Sequence, residues 1–124
     1  MKNLQLSRII ETYLKGWEIG DGELSLSVTT NDFSYDDPDT GTILRTEFVS
    51  FVNDFKQAAV EMGGKENANP FLSYSDKVID EHEKSAIVWC WWHAVGTDLQ
   101  GCALIKVSEE GILHEKIAYF SKLP

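Results

Sequence analysis

The second half of the chain leaves the fewest choices of fold. From residue 71 onward, four β-rich runs follow one another: FLSYSDKVID, SAIVWCWWHAV, LQGCALIKVS and ILHEKIAYFS. They are separated only by EHEK, GTD and EEG. Breaks this short join antiparallel neighbours, because a parallel return needs a crossover of about a dozen residues or more. Such a meander has one large apolar face, and that face has to be covered by something else in the chain.

The first half carries the cover. Residues 3–20 read as an amphipathic helix, with Leu6, Ile10, Tyr13, Leu14 and Trp17 on one stripe and Gly20 and Gly22 as the stop. A second helix begins at Thr46. Its stripe is Phe48, Phe51, Val52, Phe55 and Ala59, and Gly63-Gly64 ends it. Between the helices, NDFSYDD reads as a short strand, closed by a turn at Pro38 and Gly41. The stretch ELSLSV, 23–28, fits a short helix or a strand equally well. The expectation is a single α+β domain over 1–124, with helices packed on one face of a curved antiparallel or mixed sheet. A sheet that wraps its helices leaves a blind pocket at the open end of the cone, and such a pocket is the natural ligand site.

Composition removes several function classes. With 43% hydrophobic residues, a chain of 124 residues can fill a core without a disulfide or a metal. A net charge of −9 and the lack of Lys/Arg clusters argue against nucleic-acid partners. No apolar run has a membrane-spanning length. The N-terminus reads as an amphipathic helix rather than a signal peptide, so a cytoplasmic location is expected. The two cysteines, Cys90 and Cys102, lack CxxC spacing and are expected to be buried free thiols. The three histidines lack metal-ligand spacing, and no phosphate-binding glycine loop, nucleophile elbow or dinucleotide fingerprint occurs. No cofactor or metal is expected.

Three segments resemble the nuclear transport factor 2-like superfamily, and within it the ketosteroid isomerase-like and SnoaL-like polyketide cyclase-like branches. They are TYLKGWEIGD, an aromatic helix leaving through Gly-Asp; FSYDDPDTG, a strand ending in Asp-Pro and a Gly turn; and EEGILHEKIAYFS, a last hairpin with a terminal aromatic pair. The resemblance implies a cone-shaped sheet around N-terminal helices, the cystatin-like architecture. It also implies a homodimer through the outer sheet face. It does not choose among isomerases, cyclases, dehydratases, hydrolases and non-catalytic binding domains.

The resemblance makes Asp37 the candidate base, since it directly precedes Pro38. It makes Tyr13, 24 positions earlier on the first helix, the candidate oxyanion donor. The chemistry asks for these types: abstraction of a proton next to a carbonyl needs a carboxylate held dry, and the enolate oxygen needs a donor aimed at it. An Asp before Pro is also a common turn residue, and a Tyr on an amphipathic helix is usually core. Strand alternation sends Asp36 to the face opposite Asp37, and Asp36 and Asp39 are expected to be solvated. The second acid of ketosteroid isomerases falls, by this alignment, on Ala103, which cannot donate a hydrogen bond.

His93 is the third catalytic candidate, on one strand face with Trp89, Trp91 and Val95, while Cys90, Trp92 and Ala94 take the other. The tryptophans are core, ligand-lining or interface. His114 and Lys116 form either a pocket wall or an outer polar face, and His82 lies at a hairpin tip. Trp17, Phe55, Trp91, Ala103, Lys116, Ala118 and Phe120 are the expected pocket residues. Two functions follow. One is a cofactor-free isomerase or cyclase moving a proton beside the carbonyl of a small apolar compound. The other is a small-molecule-binding or interaction domain that keeps the pocket without the chemistry.

Overall fold

The computed structural model describes residues 1–121. Helix α1 (Leu4–Ile19) starts where the Asn3 side chain accepts from the Gln5 and Leu6 N–H groups. It stops at Gly20, whose φ of 71° is the left-handed conformation a helix exit requires. The expected stripe faces inward: Leu6, Ile10, Tyr13, Leu14 and Trp17 are all buried. ELSLSV is mostly helix. The Asp21 side chain caps α2 (Gly22–Leu26) by accepting from the Leu24 N–H.

The α1–α2 contact is close enough to exclude any side chain at Gly16, where a Cβ would lie 2.0 Å from Ser25 Oγ. That approach lets the buried Ser25 hydroxyl donate to the Tyr13 carbonyl at 2.7 Å. The short helix thereby fixes the position of Tyr13 on α1.

β1 (Thr29–Asp37) is longer than the expected short strand, and it turns back into β2 (Gly41–Leu44), a strand the sequence reading did not find. A single 3-10 turn, Arg45–Glu47, leads into α3 (Phe48–Glu61). The meander then follows as β3 (Leu72–Glu81), β4 (Ser85–Ala94), β5 (Gln100–Ser108) and β6 (Gly111–Tyr119). All six strands form one sheet in the order β2-β1-β6-β5-β4-β3. The meander is antiparallel throughout, whereas β1 joins β6 in parallel, so the sheet is mixed. The parallel pair is reached from across the molecule, and short-break reasoning could not anticipate it.

Alternation on β4 is clean. Val88, Cys90, Trp92 and Ala94 point in, and Ile87, Trp89 and Trp91 point out. Cys90 is buried as expected, but Cys102 lies outward opposite Trp91 and is only half-buried. The concave face and the helices enclose an aromatic core. The Trp17 ring packs on Tyr35, Phe48 and Phe55 at centroid distances of 5.6–5.7 Å, and Phe55 continues to Trp92 at 5.6 Å. Gly101 makes room for this arrangement, because a Cβ there would lie 2.6 Å from the Trp92 ring and 2.0 Å from the Ala118 carbonyl. No helix among the described residues is long and apolar enough to cross a membrane.

Candidate functional site

Deep in the cone, α1 meets β6. Glu115 stands on β6 opposite Ile105 and Tyr35, and its side chain is buried with only 2% exposure. The Tyr13 hydroxyl donates to Glu115 Oε1. Tyr13 makes the one close hydrogen bond to this carboxyl among the described residues, and the Trp17 indole lies near enough to favour its charged form.

An acid in such a place is expensive to ionise. Burial among aromatic rings pushes the Glu115 carboxyl up to about 7, and the Tyr13 hydrogen bond and the nearby Trp17 indole only partly oppose that rise. Burial first, then the Glu115 charge, in turn hold the Tyr13 and Tyr35 hydroxyls well above the ordinary phenol range. Tyr74 is raised the same way. The pair is therefore a neutral phenol beside a carboxyl poised near neutrality.

Beside this pair is a cavity of about 10 Å³, walled by Trp17, Tyr35, Phe55, Tyr74, Trp92 and Glu115, among others. It has room for about one water molecule. The Trp17 and Trp92 Nε1 atoms are buried and have no hydrogen-bond partner. Both side chains wall this cavity. Phe55 also walls an open groove of about 440 Å³ at the mouth of the cone, together with Asp39, Asp98, Leu99, Tyr119 and Phe120.

Asp37 is buried, at 3% exposure, and points to the same concave side as Tyr35. Its carboxylate is occupied by local structure. Oδ1 accepts from the Asp39 N–H at 2.8 Å, the Thr40 N–H at 3.0 Å and the Thr40 hydroxyl at 3.3 Å. Oδ2 accepts from the Tyr119 hydroxyl at 2.5 Å. Burial, with the Asp37 hydrogen bond and charge, raises the Tyr119 hydroxyl above its usual range. Asp37 thus organises the Pro38 turn and ties it to β6, whereas Tyr13 is engaged by Glu115.

The other expected site residues divide by sheet face. Trp17, Phe55 and Ala103 lie inside the cone. Trp91 does not: it is on the convex face, 38% exposed, packed edge-on against Trp89 and Phe120. Lys116 and Ala118 are exposed on that same convex face, since they alternate with the buried Glu115 and Ile117. Phe120 is 44% exposed and reaches only the rim of the mouth groove. His93 also points away from the cone, on the side of β4 opposite Trp92. Its Nε2–H donates to the Thr97 carbonyl at 2.6 Å, in an open polar depression with Asp98 and Gln100. Asp36 is outward too, accepting from the Thr42 hydroxyl at 2.8 Å and lying 3.2 Å from His114 Nε2, so it is paired rather than simply solvated. Asp39 is exposed, as expected. No cluster of three or more His, Cys, Asp or Glu side chains among the described residues could hold a metal ion.

No family model matches the sequence, and no curated protein matches it. Solved structures do match. A protein provisionally assigned as a polyketide cyclase from Xanthomonas campestris pv. campestris has a TM-score of 0.64 at 15% identity, over 97% of this chain and 93% of its own. An NTF2-like protein from Anabaena variabilis has a TM-score of 0.66 at 11% identity, covering 98% and 94%. The fold is nuclear transport factor 2-like. A protein provisionally assigned as a ketosteroid isomerase from Kribbella flavida shares the fold at a TM-score of 0.62 and 11% identity, over 98% of this chain and 82% of its own. Several other proteins with this fold that match are of unknown function. The acid that meets Tyr13 deep in the cone is Glu115 on β6. The sequence held one clue to it: Glu115 alternates with Ile117 on the apolar side of the last strand, a lone carboxylate where an aliphatic residue would be ordinary.

Proposed function

We propose that this chain is a cofactor-free acid–base catalyst that moves a proton next to the carbonyl of a small apolar compound, with Glu115 as the base. The observation that carries this reading is the Tyr13–Glu115 hydrogen bond beside the interior cavity. A base must have a free oxygen and a proton affinity near the working pH. Glu115 meets both conditions, while both oxygens of Asp37 are committed to Tyr119 and the turn. In the reaction, Glu115 Oε2 takes the proton from the carbon beside the carbonyl, leaving an enolate. The same carboxyl then returns the proton, to that carbon or to the conjugated γ-carbon. Tyr13 acts as a positioning residue that holds Oε1, so that Oε2 faces the substrate.

The volume of the cavity favours a second reading, a binding domain that admits ligand only at the mouth. Exchange of the α-protons of cyclohexanone in D2O, followed by NMR, separates the two. Catalysed exchange that falls at least about 100-fold in Glu115→Gln supports the base assignment. Asp37→Asn keeps the exchange within a few-fold and costs about 1–2 kcal/mol of stability through its weakened turn contacts. Equal rates in Glu115→Gln and the parent overturn the assignment, and no exchange above buffer leaves the binding domain as the function.

The convex face supports a homodimer. Val78, Ile87, Trp89 and Trp91 are exposed there in one region of β3 and β4, and a second copy would cover them. Light scattering at micromolar concentration is expected to give twice the 14.0 kDa chain mass. A monomer mass contradicts the dimer.

A further inference from the structure

Proton abstraction by Glu115 has one further chemical need. If Glu115 removes a proton, the charge that develops on the substrate oxygen requires a hydrogen-bond donor. Tyr13 already donates its only hydroxyl proton to Glu115. Two buried donors that wall the cavity have no hydrogen-bond partner within ordinary distance among the described residues, the indole N–H groups of Trp17 and Trp92, and the Trp17 indole also lies near enough to Glu115 to favour its charged form.

We propose that Trp17 and Trp92 together form the oxygen-binding subsite of the cone, and that its ligand is a small, flat, neutral compound with a single carbonyl oxygen. This rests on the Glu115 reading for the chemistry but not for the binding. Trp17 is 2% exposed and Trp92 4%, so neither indole N–H can turn to bulk water. A buried donor without an acceptor is costly, and native structures carry few. These two belong to rings from different elements, α1 and β4, that both wall the cavity holding Glu115. Two helical and sheet features set this up: the stripe spacing carries Trp17 inward, and Gly101 leaves space for the Trp92 ring.

Charge selects the ligand class. Asp39 and Asp98 line the mouth, Asp37 stands beside Tyr119 there, and the chain carries a net charge of −9. An anion would be repelled on approach and again by an ionised Glu115. A neutral carbonyl compound meets neither barrier and offers an acceptor to both indoles. The aromatic walls select a flat apolar body. Phe55 walls both the cavity and the mouth groove, so it is the side chain that has to swing aside for entry.

The test follows the four assigned indole N–H resonances in 15N-labelled protein while cyclohexanone is added, in the parent and in Glu115→Gln. The expected result is a saturable shift of the Trp17 and Trp92 signals in both proteins, with Trp89 and Trp91 unmoved. Trp17→Phe and Trp92→Phe, which keep most of the packing, should each weaken binding about tenfold, the loss expected for one hydrogen bond. A saturable shift in the parent with no α-proton exchange above buffer would overturn the base assignment and leave this subsite standing. Unmoved Trp17 and Trp92 signals in both proteins overturn the proposal, since the cavity then admits nothing larger than water. So do shifts confined to Trp89 and Trp91, or Trp→Phe variants that bind as tightly as the parent.

Discussion

Replacing Glu115 by Gln stabilises the protein relative to the parent by an amount that grows as pH rises from about 4.5 to about 7. The folded carboxyl is raised to about 7, against 4.5 for an unperturbed glutamate. Below pH 4.5 the carboxyl is protonated in both states and costs nothing. Between the two values the unfolded chain gives up its proton while the folded chain retains it, so stability falls with rising pH. Above about 7 both states are ionised, and the accumulated loss, on the order of 3 kcal/mol, stays constant. Gln fills the same space, accepts from Tyr13 through its amide oxygen and never ionises. The other carboxylates titrate alike in both proteins and cancel in the difference. The gap in melting temperature, variant minus parent, should widen by roughly 10 °C across this window. A gap that stays flat from pH 4 to pH 8 would show that Glu115 ionises as freely in the fold as in the unfolded chain. It would also remove the reason to regard the residue as a base working near neutral pH.

Periodicity made most of the frame legible and very little of the chemistry. The stripes of α1 and α3 and the inward set of β4 could be read because each residue's direction follows from its own element. The β1–β6 parallel pair and β2 could not, since the first joins segments about 80 residues apart in the chain and the second depends on where the Pro38 turn returns it. The same limit separates the site residues. Tyr13 and Trp17 were legible from the helix stripe. The sequence places Trp91, Lys116 and Ala118 among the pocket candidates, but their strands turn these positions to the convex face. Asp37 was singled out by its motif, and it is indeed inward and buried. Its role depends on what its oxygens meet, which is the Thr40 turn and Tyr119. Glu115 shows the opposite case: no motif marks it, and its importance comes entirely from the burial and the Tyr13 contact that the fold creates.

Shortening Phe55 to Ala should have the largest effect on stability and also change access to the site. Phe55 is only 7% exposed and packs on Trp17, Phe51, Phe71 and Trp92 at centroid distances of 5.6–6.0 Å. Losing a buried phenyl ring from such a core costs about 3–5 kcal/mol, so the unfolding midpoint in urea should move down with no change in slope. The variant joins the cavity of about 10 Å³ to the groove of about 440 Å³. Two consequences follow from that opening. The Trp17 and Trp92 indole protons should exchange with solvent faster than in the parent, because the ring that sealed them is gone. Water reaching Glu115 should also relieve the burial that holds its carboxyl near 7, so the pH-dependent gap between Gln and Glu at position 115 should shrink in the Phe55→Ala background. A double-mutant cycle measured at pH 4.5 and pH 8 reads this directly. If the gap is as wide without Phe55 as with it, the rise at Glu115 comes from its immediate neighbours rather than from a sealed cone, and Phe55 does not control access to the acid.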